Sequence, residues 1–172
     1  MTGEHQPLKL ALDQNFPTSL VNAIVDFLPR DIQVASVHSI DHRLSDLDDR
    51  PLFLALHHLG WGGLVTNNYK MLDIATEVAA IVRTQAVVVA VEGLGHDPLR
   101  AAGALLLELP GLRGRLVANR SNVFRLAYRR RPPENGRTYL ERIADRQGRS
   151  EDDLWREVLV TQEEFEAARL PN

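Results

Sequence analysis

Oxygen-bearing side chains stand at three points where apolar runs of the sequence give way to polar residues. They are Asp13 after the run LKLAL, the acids Asp46, Asp48 and Asp49 before a helical stretch, and Thr66, Asn67 and Asn68 after the run LV. Carboxylate, hydroxyl and amide oxygens suit a hard cation such as Mg²⁺ or Mn²⁺. Such metals serve phosphoryl transfer, so the residue types indicate phosphate chemistry.

Each of these groups also has an interpretation that needs no metal. Asp13 can cap the turn before Pro17, and Asp49 can be only a helix N-cap. Asn67 and Asn68 can be turn residues, because asparagine tolerates left-handed backbone. The choice depends on whether the fold brings the groups together.

The elements that must position these groups follow from the hydrophobic periodicity. Short apolar runs predict buried strands, and apolar residues at helical spacing between them predict helices. Strands are predicted at residues 8–12, 32–37, 64–66 and 86–91, with one or two more within 115–129. Helices are predicted from Pro17, at about 50–59, at 70–82, from Asp97 to about Leu109, and at 136–147 and 150–169.

This alternation predicts an α/β fold with three layers, α/β/α, around a central and mainly parallel sheet. Residues 1–114 are assigned to the α/β domain and residues 115–172 to a C-terminal extension with short strands and a helical appendage. Right-handed crossovers bring the carboxyl ends of parallel strands to one edge, where ligands of open α/β sheets bind. The three polar groups should therefore meet at that edge.

Composition excludes several kinds of site and location. The 172 residues include no cysteine, which excludes disulfides, thiolate zinc sites and cysteine nucleophiles. The longest apolar run, AVVVAV at 86–91, is far shorter than the roughly 20 residues that span a bilayer. The N-terminal MTGEHQPLK has no signal-peptide core, so a cytoplasmic protein without membrane contact is expected.

Charge is distributed unevenly along the chain. Residues 1–114 have a net charge of -5, residues 115–149 of +7, and residues 150–172 of -5. The basic segment contains ten arginines and no lysine, and arginine makes bidentate phosphate contacts. Candidate RNA-binding residues are Arg125, Arg129, Arg130 and Arg131. The alternative is a solvated arginine-rich face that the acidic tail offsets.

The acidic tail has an apolar face of its own. Leu154, Trp155, Val158 and Leu159 recur at helical spacing. This face can dock on the core of the chain or on a partner protein.

Two stretches of the chain resemble a known family. LKLALDQNFP resembles the opening strand of PIN-like domains, which ends in an Asp that is often followed by a polar residue, Asn and Pro. DDRPLFLALHHLGWGGLVTNN resembles the second acidic position, a helix, and the strand that ends in Thr, Asn, Asp. The resemblance covers about the first 110 residues. It implies a PIN-like fold and a metal-dependent ribonuclease, many of which are toxins of bacterial toxin-antitoxin pairs.

The resemblance implies roles for particular residues. Asp13 and Asp49 match the acids that bind Mg²⁺ or Mn²⁺, and Thr66 matches the hydroxyl that lines the catalytic site. Asn68 stands where the family has Asp, and Asp73 is a candidate substitute ligand. An Asn carbonyl can coordinate a metal without neutralising its charge.

Two functional classes follow from this pattern. The first is an endoribonuclease that cleaves RNA phosphodiester bonds, with an antitoxin protein as a partner. The second is a catalytically weakened module of the same fold that binds RNA or protein. Homodimer formation is left open.

Overall fold

Five short strands form one parallel sheet at the centre of the fold. The structure is a computed structural model, which describes residues 6–14, 16, 23, 25–92, 97–126 and 132–170. In these residues the sheet order is β2-β1-β3-β4-β5, and every neighbouring pair is parallel. The strands are β1 Leu8–Leu12, β2 Ile32–Ser36, β3 Gly63–Thr66, β4 Val87–Val91 and β5 Asn122–Leu126.

Seven α-helices connect or follow the strands in the described part of the chain. Short 3-10 turns accompany them, two of which, His42–Asp46 and Tyr69–Asp73, lead into the second and third helices. The helices are α1 Val37–Ile40, α2 Asp49–His58, α3 Ala75–Thr84, α4 Pro98–Glu108, α5 Gly136–Gln147, α6 Glu151–Val158 and α7 Gln162–Ala167.

Hydrophobic cores cover both faces of the sheet. Side chains of successive strand residues point to opposite faces. Ala11 and Val88 therefore pack with α2, α3 and α5 on one face, whereas Leu12 and Val89 pack with α4 on the other. This arrangement is an α/β fold and is consistent with the predicted three layers.

The sheet order creates a switch point at the carboxyl ends of β1 and β3. The chain leaves β1 for β2 on one side, and β3 pairs with β1 on the other side. Open α/β sheets bind their ligands in the crevice at such a point. Asp13 and Thr66 both lie there, because Leu12 pairs with Val65 and Asp13 and Thr66 are the next residues along the two strands.

Most of the predicted elements are present, with differences at their ends. The helix predicted from Pro17 lies largely outside the described residues. The helix predicted at 70–82 begins later than expected, at Ala75, because a 3-10 turn spans Tyr69–Asp73 and Ile74 is extended. The stretch 150–169 forms α6 and α7, which Leu159, Val160 and Thr161 separate.

The part of the chain beyond residue 114 contributes to the sheet and to the core. β5 is the edge strand beside β4, and Tyr139, Leu140 and Ile143 of α5 are buried against α3 and the sheet. Leu154 and Val158 are also buried, so this part of the apolar side of the acidic tail docks on the chain itself, whereas Leu159 is 44% exposed. Across the described ranges, every helix is too short or too polar to cross a bilayer.

Candidate functional site

Asp13 and Thr66 form the buried base of the candidate site. Strand alternation points both side chains towards the face that α2 and α3 cover, where Ala11 and Leu64 pack. The Thr66 hydroxyl donates a hydrogen bond to Oδ2 of Asp13 at 2.7 Å. Asp13 is 7% exposed and Thr66 is fully buried, so this bond holds the carboxylate in one orientation.

Asn68 joins this pair to Asp49 at the first residue of α2. Its backbone N–H donates to the Thr66 hydroxyl at 2.9 Å, and its side-chain Nδ2 donates to Oδ2 of Asp49 at 3.0 Å. The structure therefore brings together four of the residues predicted from the sequence. Asp49 begins the helix that was predicted at about 50–59, with Asp48 as its N-cap.

Glu77 is a fifth member of the site that the sequence pattern does not indicate. It lies in the first turn of α3 and is near enough to Asp49 for the charge of that carboxylate to raise its pKa. Two carboxylates both accept, so a hydrogen bond between these two groups requires a proton on one of them. The signal for Glu77 was its place four residues before Ile81, a fully buried residue on the same side of the helix.

The environment of these acids opposes their ionisation. Burial and the charge of Asp13 raise the pKa of Asp49, although hydrogen bonds with Glu77 and Asn68 partly offset this. Burial, the charge of Asp49 and the shared hydrogen bond raise the pKa of Glu77 from 4.5 to about 7. Acidic clusters with raised pKa values in a crevice are typical of functional sites.

The chemistry of the donor atoms fits a hard cation. Oε2 of Glu77 and Oδ1 of Asn67 are buried acceptors without a hydrogen-bond partner, and a cation or a water molecule would satisfy them. Within the described residues, no group of three or more His, Cys, Asp or Glu side chains is arranged to hold a metal ion. Two of the acids are held by hydrogen bonds from neutral side chains: Thr66 donates to Asp13, and Asn68 donates to Asp49.

Asp73 lies in a different environment from these acids. It pairs with Arg146 at 2.9 Å, and both side chains are more than half exposed. The two residues line a cleft of about 430 Å³ together with Arg125, Tyr139, Arg142 and Asp145.

Of the four arginines predicted to bind RNA, only Arg125 falls within the described residues. It pairs with Glu92 at 2.6 Å. Arg129, Arg130 and Arg131 lie outside the described residues. The role of all four in RNA binding stays a prediction.

The raised pKa of Glu77 predicts a pH dependence of stability. A carboxyl that binds its proton more tightly when folded stabilises the fold fully below pH 4.5, and this stability is lost as the pH rises through about 7. Glu77→Gln keeps the uncharged form, so we expect it to melt at a higher temperature than the wild type at pH 8 and to match it at pH 4.5.

Thermal melts of the metal-free protein from pH 4.5 to 8 measure this effect. The melting temperature of the variant minus that of the wild type should increase with pH. This difference also cancels the contribution of His57 to the pH dependence of stability, which has the opposite sign. Burial lowers the pKa of His57 from 6.5. Glu141→Gln is the matched control on an exposed position of α5. A difference that stays constant with pH would show that Glu77 is ionised at neutral pH.

Comparison of the chain with family models, with curated proteins and with solved structures finds no match. The likeness to PIN-like domains therefore rests on the motifs around Asp13, Asp49 and Thr66. The function must be argued from the site itself.

Proposed function

We propose that the chain is a metal-dependent ribonuclease of the PIN-like type that hydrolyses RNA phosphodiester bonds in the cytoplasm. One observation carries the proposal: Asp13 and Asp49 are linked through Thr66 and Asn68 at the switch point of a parallel sheet, and Glu77 lies near Asp49. A site that concentrates negative charge in this way favours a divalent cation.

Asp13 and Asp49 would hold Mg²⁺ or Mn²⁺, with the carbonyl of Asn68 as a neutral ligand. When bound, such an ion stabilises negative charge on the phosphate and lowers the pKa of water. Thr66 fixes the carboxylate of Asp13 through its 2.7 Å hydrogen bond, and Asn68 fixes that of Asp49. Their role is to keep the acids oriented before the substrate arrives.

Glu77 suits proton transfer in this reaction. In hydrolysis a water oxygen attacks phosphorus, the bond from phosphorus to one ribose oxygen breaks, and that oxygen takes up a proton. In the metal-free protein the pKa of Glu77 is raised to about 7, so this carboxyl exchanges protons near neutral pH. We assign this transfer to the carboxyl of Glu77.

The experiment that tests the proposal is cleavage of single-stranded and structured RNA by the purified protein with Mn²⁺ or Mg²⁺. Cleavage should require the metal and stop on chelation with EDTA. Coexpression with the small protein encoded by a neighbouring gene should suppress RNA cleavage if that protein is an antitoxin. Absence of cleavage with either metal on both kinds of RNA would reject the nuclease.

A second candidate is a catalytically weakened module that binds RNA or a protein. The contact between Asn68 and Asp49 favours it, because a neutral amide already satisfies one of the acids. This candidate predicts RNA binding without cleavage.

The cleft lined by Arg125, Arg142 and Arg146 is the proposed RNA-binding surface. Arg142 and Arg146 lie four residues apart on α5 and are each about half exposed. They pair with Glu134 and Asp73, but a guanidinium has five N–H donors and so retains some for a phosphate. We expect the double variant Arg142→Gln/Arg146→Gln to bind RNA more weakly.

Salt dependence distinguishes phosphate contacts from other effects of this double variant. Loss of two phosphate contacts should reduce the slope of log affinity against log salt by about 1.4 for a single strand. The control is Arg156→Gln/Arg169→Gln, which removes two arginines that pair with acids three residues away on the acidic tail. Equal slopes in the wild type and both variants would assign Arg142 and Arg146 to structure.

A further inference from the structure

The C-terminal clasp, residues 159–170, lies across α2 and α3. The Phe165 carbonyl contacts Nε2 of His58, and the Arg83 guanidinium lies 4.7 Å from the centre of the Phe165 ring. Arg83 also donates to Gln162 at 2.6 Å. The clasp therefore contacts both of the helices that carry Asp49 and Glu77.

Arg50 connects the clasp to the first turns of these two helices. Its Nε and Nη2 donate to the two carboxylate oxygens of Glu164 in α7, the second at 2.7 Å. Its Nη1 donates to the carbonyl of Thr76 at 2.7 Å and to that of Val158 at 3.0 Å. One planar group thus joins α2, α3, the end of α6 and α7.

The two anchor points of Arg50 are next to the two acids. Arg50 follows Asp49 in α2, and Thr76 precedes Glu77 in α3. The hydrogen bond from Arg50 to the Thr76 carbonyl therefore fixes one first turn relative to the other. The separation of Asp49 and Glu77 depends on that relation.

The guanidinium of Arg50 forms its ion pair with Glu164. The hydrogen bond from Arg50 lowers the pKa of Glu164, so this partner is ionised at neutral pH. Thr161 caps α7 by accepting from the N–H of Glu164 at 3.1 Å. In a capping box the Glu three residues after the N-cap would turn back to the N-cap. Here its carboxylate binds Arg50 instead.

We propose that Arg50 is a positioning residue of the site: held by the C-terminal clasp, it sets the spacing between Asp49 and Glu77 through its hydrogen bond to the Thr76 carbonyl. The inference rests on the proposed function, because this spacing affects activity only if both acids belong to the catalytic site. Lysine cannot replace arginine here, because a single ammonium cannot reach a carboxylate in bidentate form and two carbonyls at once. The C-terminal segment is then part of the site despite its distance in sequence.

The test compares Arg50→Lys and Glu164→Gln in the full chain with Arg83→Lys, which alters a clasp contact that does not involve Arg50. We expect Arg50→Lys to lower Mn²⁺ affinity in calorimetry by about tenfold or more. We also expect it to lower kcat for RNA cleavage by about 10- to 100-fold with KM unchanged, since small misplacements of reacting groups have effects of this size. Arg83→Lys should retain both values.

A spectroscopic readout separates this inference from the proposed function. The amide nitrogen of Glu77 belongs to the same peptide group as the Thr76 carbonyl, so its resonance in the metal-free protein reports the Arg50 contact. It should move in Arg50→Lys and stay in place in Arg83→Lys. Glu164→Gln, which keeps the shape of the side chain, should give smaller changes of the same kind.

The outcomes are distinct. If the wild type neither binds Mn²⁺ nor cleaves RNA, the proposed function fails, and the Glu77 resonance still decides whether Arg50 positions the helix. An unmoved resonance in Arg50→Lys overturns the inference. Unchanged Mn²⁺ affinity and unchanged kcat in Arg50→Lys would also overturn the inference. A purely structural Arg50 would change only the melting temperature.

Discussion

Replacing Asp13 with alanine is expected to reduce metal-dependent RNA cleavage to background, a loss of about a thousandfold. Removal of one preorganised electrostatic group from a catalytic site commonly costs about 10²- to 10³-fold. Asp13 has a central position, because it is 7% exposed at the end of β1 and its charge contributes to the raised pKa of Asp49. No other carboxyl group projects from β1.

A second variant separates the loss of charge from the loss of a hydrogen bond. Asp13→Ala leaves the buried Thr66 hydroxyl without its acceptor, which costs about 1–3 kcal/mol of stability. Asp13→Asn keeps an acceptor oxygen at the same place and removes the charge. Both variants should lose cleavage, and Asp13→Asn should melt closer to the wild type.

The control for these variants is Asp152→Ala, the same chemical change on an exposed position of α6. It should cleave like the wild type. Asp73→Ala decides the role of Asp73: full cleavage leaves it as the ion-pair partner of Arg146, and lost cleavage makes it a ligand. Cleavage that survives in both Asp13 variants would indicate a contaminating nuclease or a different site.

The sequence predicts the strand-end residues of the site because the signal for them is local. Asp13 and Thr66 each follow an apolar run, and parallel strands bring such positions to one edge of the sheet. Asp49 begins a helix whose start is marked by neighbouring acids and Pro51. These signals need only the residue types within a few positions.

The helical spacing of apolar residues over 70–82 does not indicate Glu77, because the helix is interrupted at Ile74. The prediction of one helix at 70–82 places Ile74 in the core, but Ile74 is 45% exposed and lies between a 3-10 turn and α3. The extended residue Ile74 interrupts the helical repeat, so the buried side cannot be extrapolated through it. Counting back from Ile81 alone gives the correct side.

The contacts of Arg50 and Asp73 have no local signal in the sequence. Arg50 lies 114 positions from Glu164, and Asp73 lies 73 positions from Arg146. Periodicity gives the exposed or buried side of an element, but the partner of a charged side chain depends on how distant elements pack. The same limit applies to the docking of the acidic tail, for which the sequence left two alternatives.

Asn68→Asp is expected to raise the affinity for Mn²⁺ by up to about a thousandfold. Two unit charges about 4 Å apart interact by about 4 kcal/mol at an effective dielectric constant near 20, which corresponds to nearly three powers of ten in affinity. Without metal, the change has the opposite effect on the fold. The Nδ2 of Asn68 donates to Asp49 at 3.0 Å, and an aspartate would place a second negative charge against that carboxylate.

The variant should therefore melt at a lower temperature than the wild type in EDTA at pH 8. Saturating Mn²⁺ should raise its melting temperature by more than it raises that of the wild type, because ligand binding to the folded state stabilises it in proportion to the logarithm of affinity. Calorimetry gives the affinity directly. Asn119→Asp adds the same charge at an exposed turn and should change neither quantity.

The same variant decides between the two candidate functions. If the wild type cleaves slowly and Asn68→Asp cleaves faster, the amide at position 68 is what weakens a nuclease site, and the chain is a module that retains the rest of that site. If both cleave well, the carbonyl of Asn68 is an adequate ligand and the nuclease is complete without a carboxylate at position 68. Unchanged Mn²⁺ affinity in Asn68→Asp would remove position 68 from the metal site, because a new charge in contact with a bound cation cannot leave its affinity unaltered.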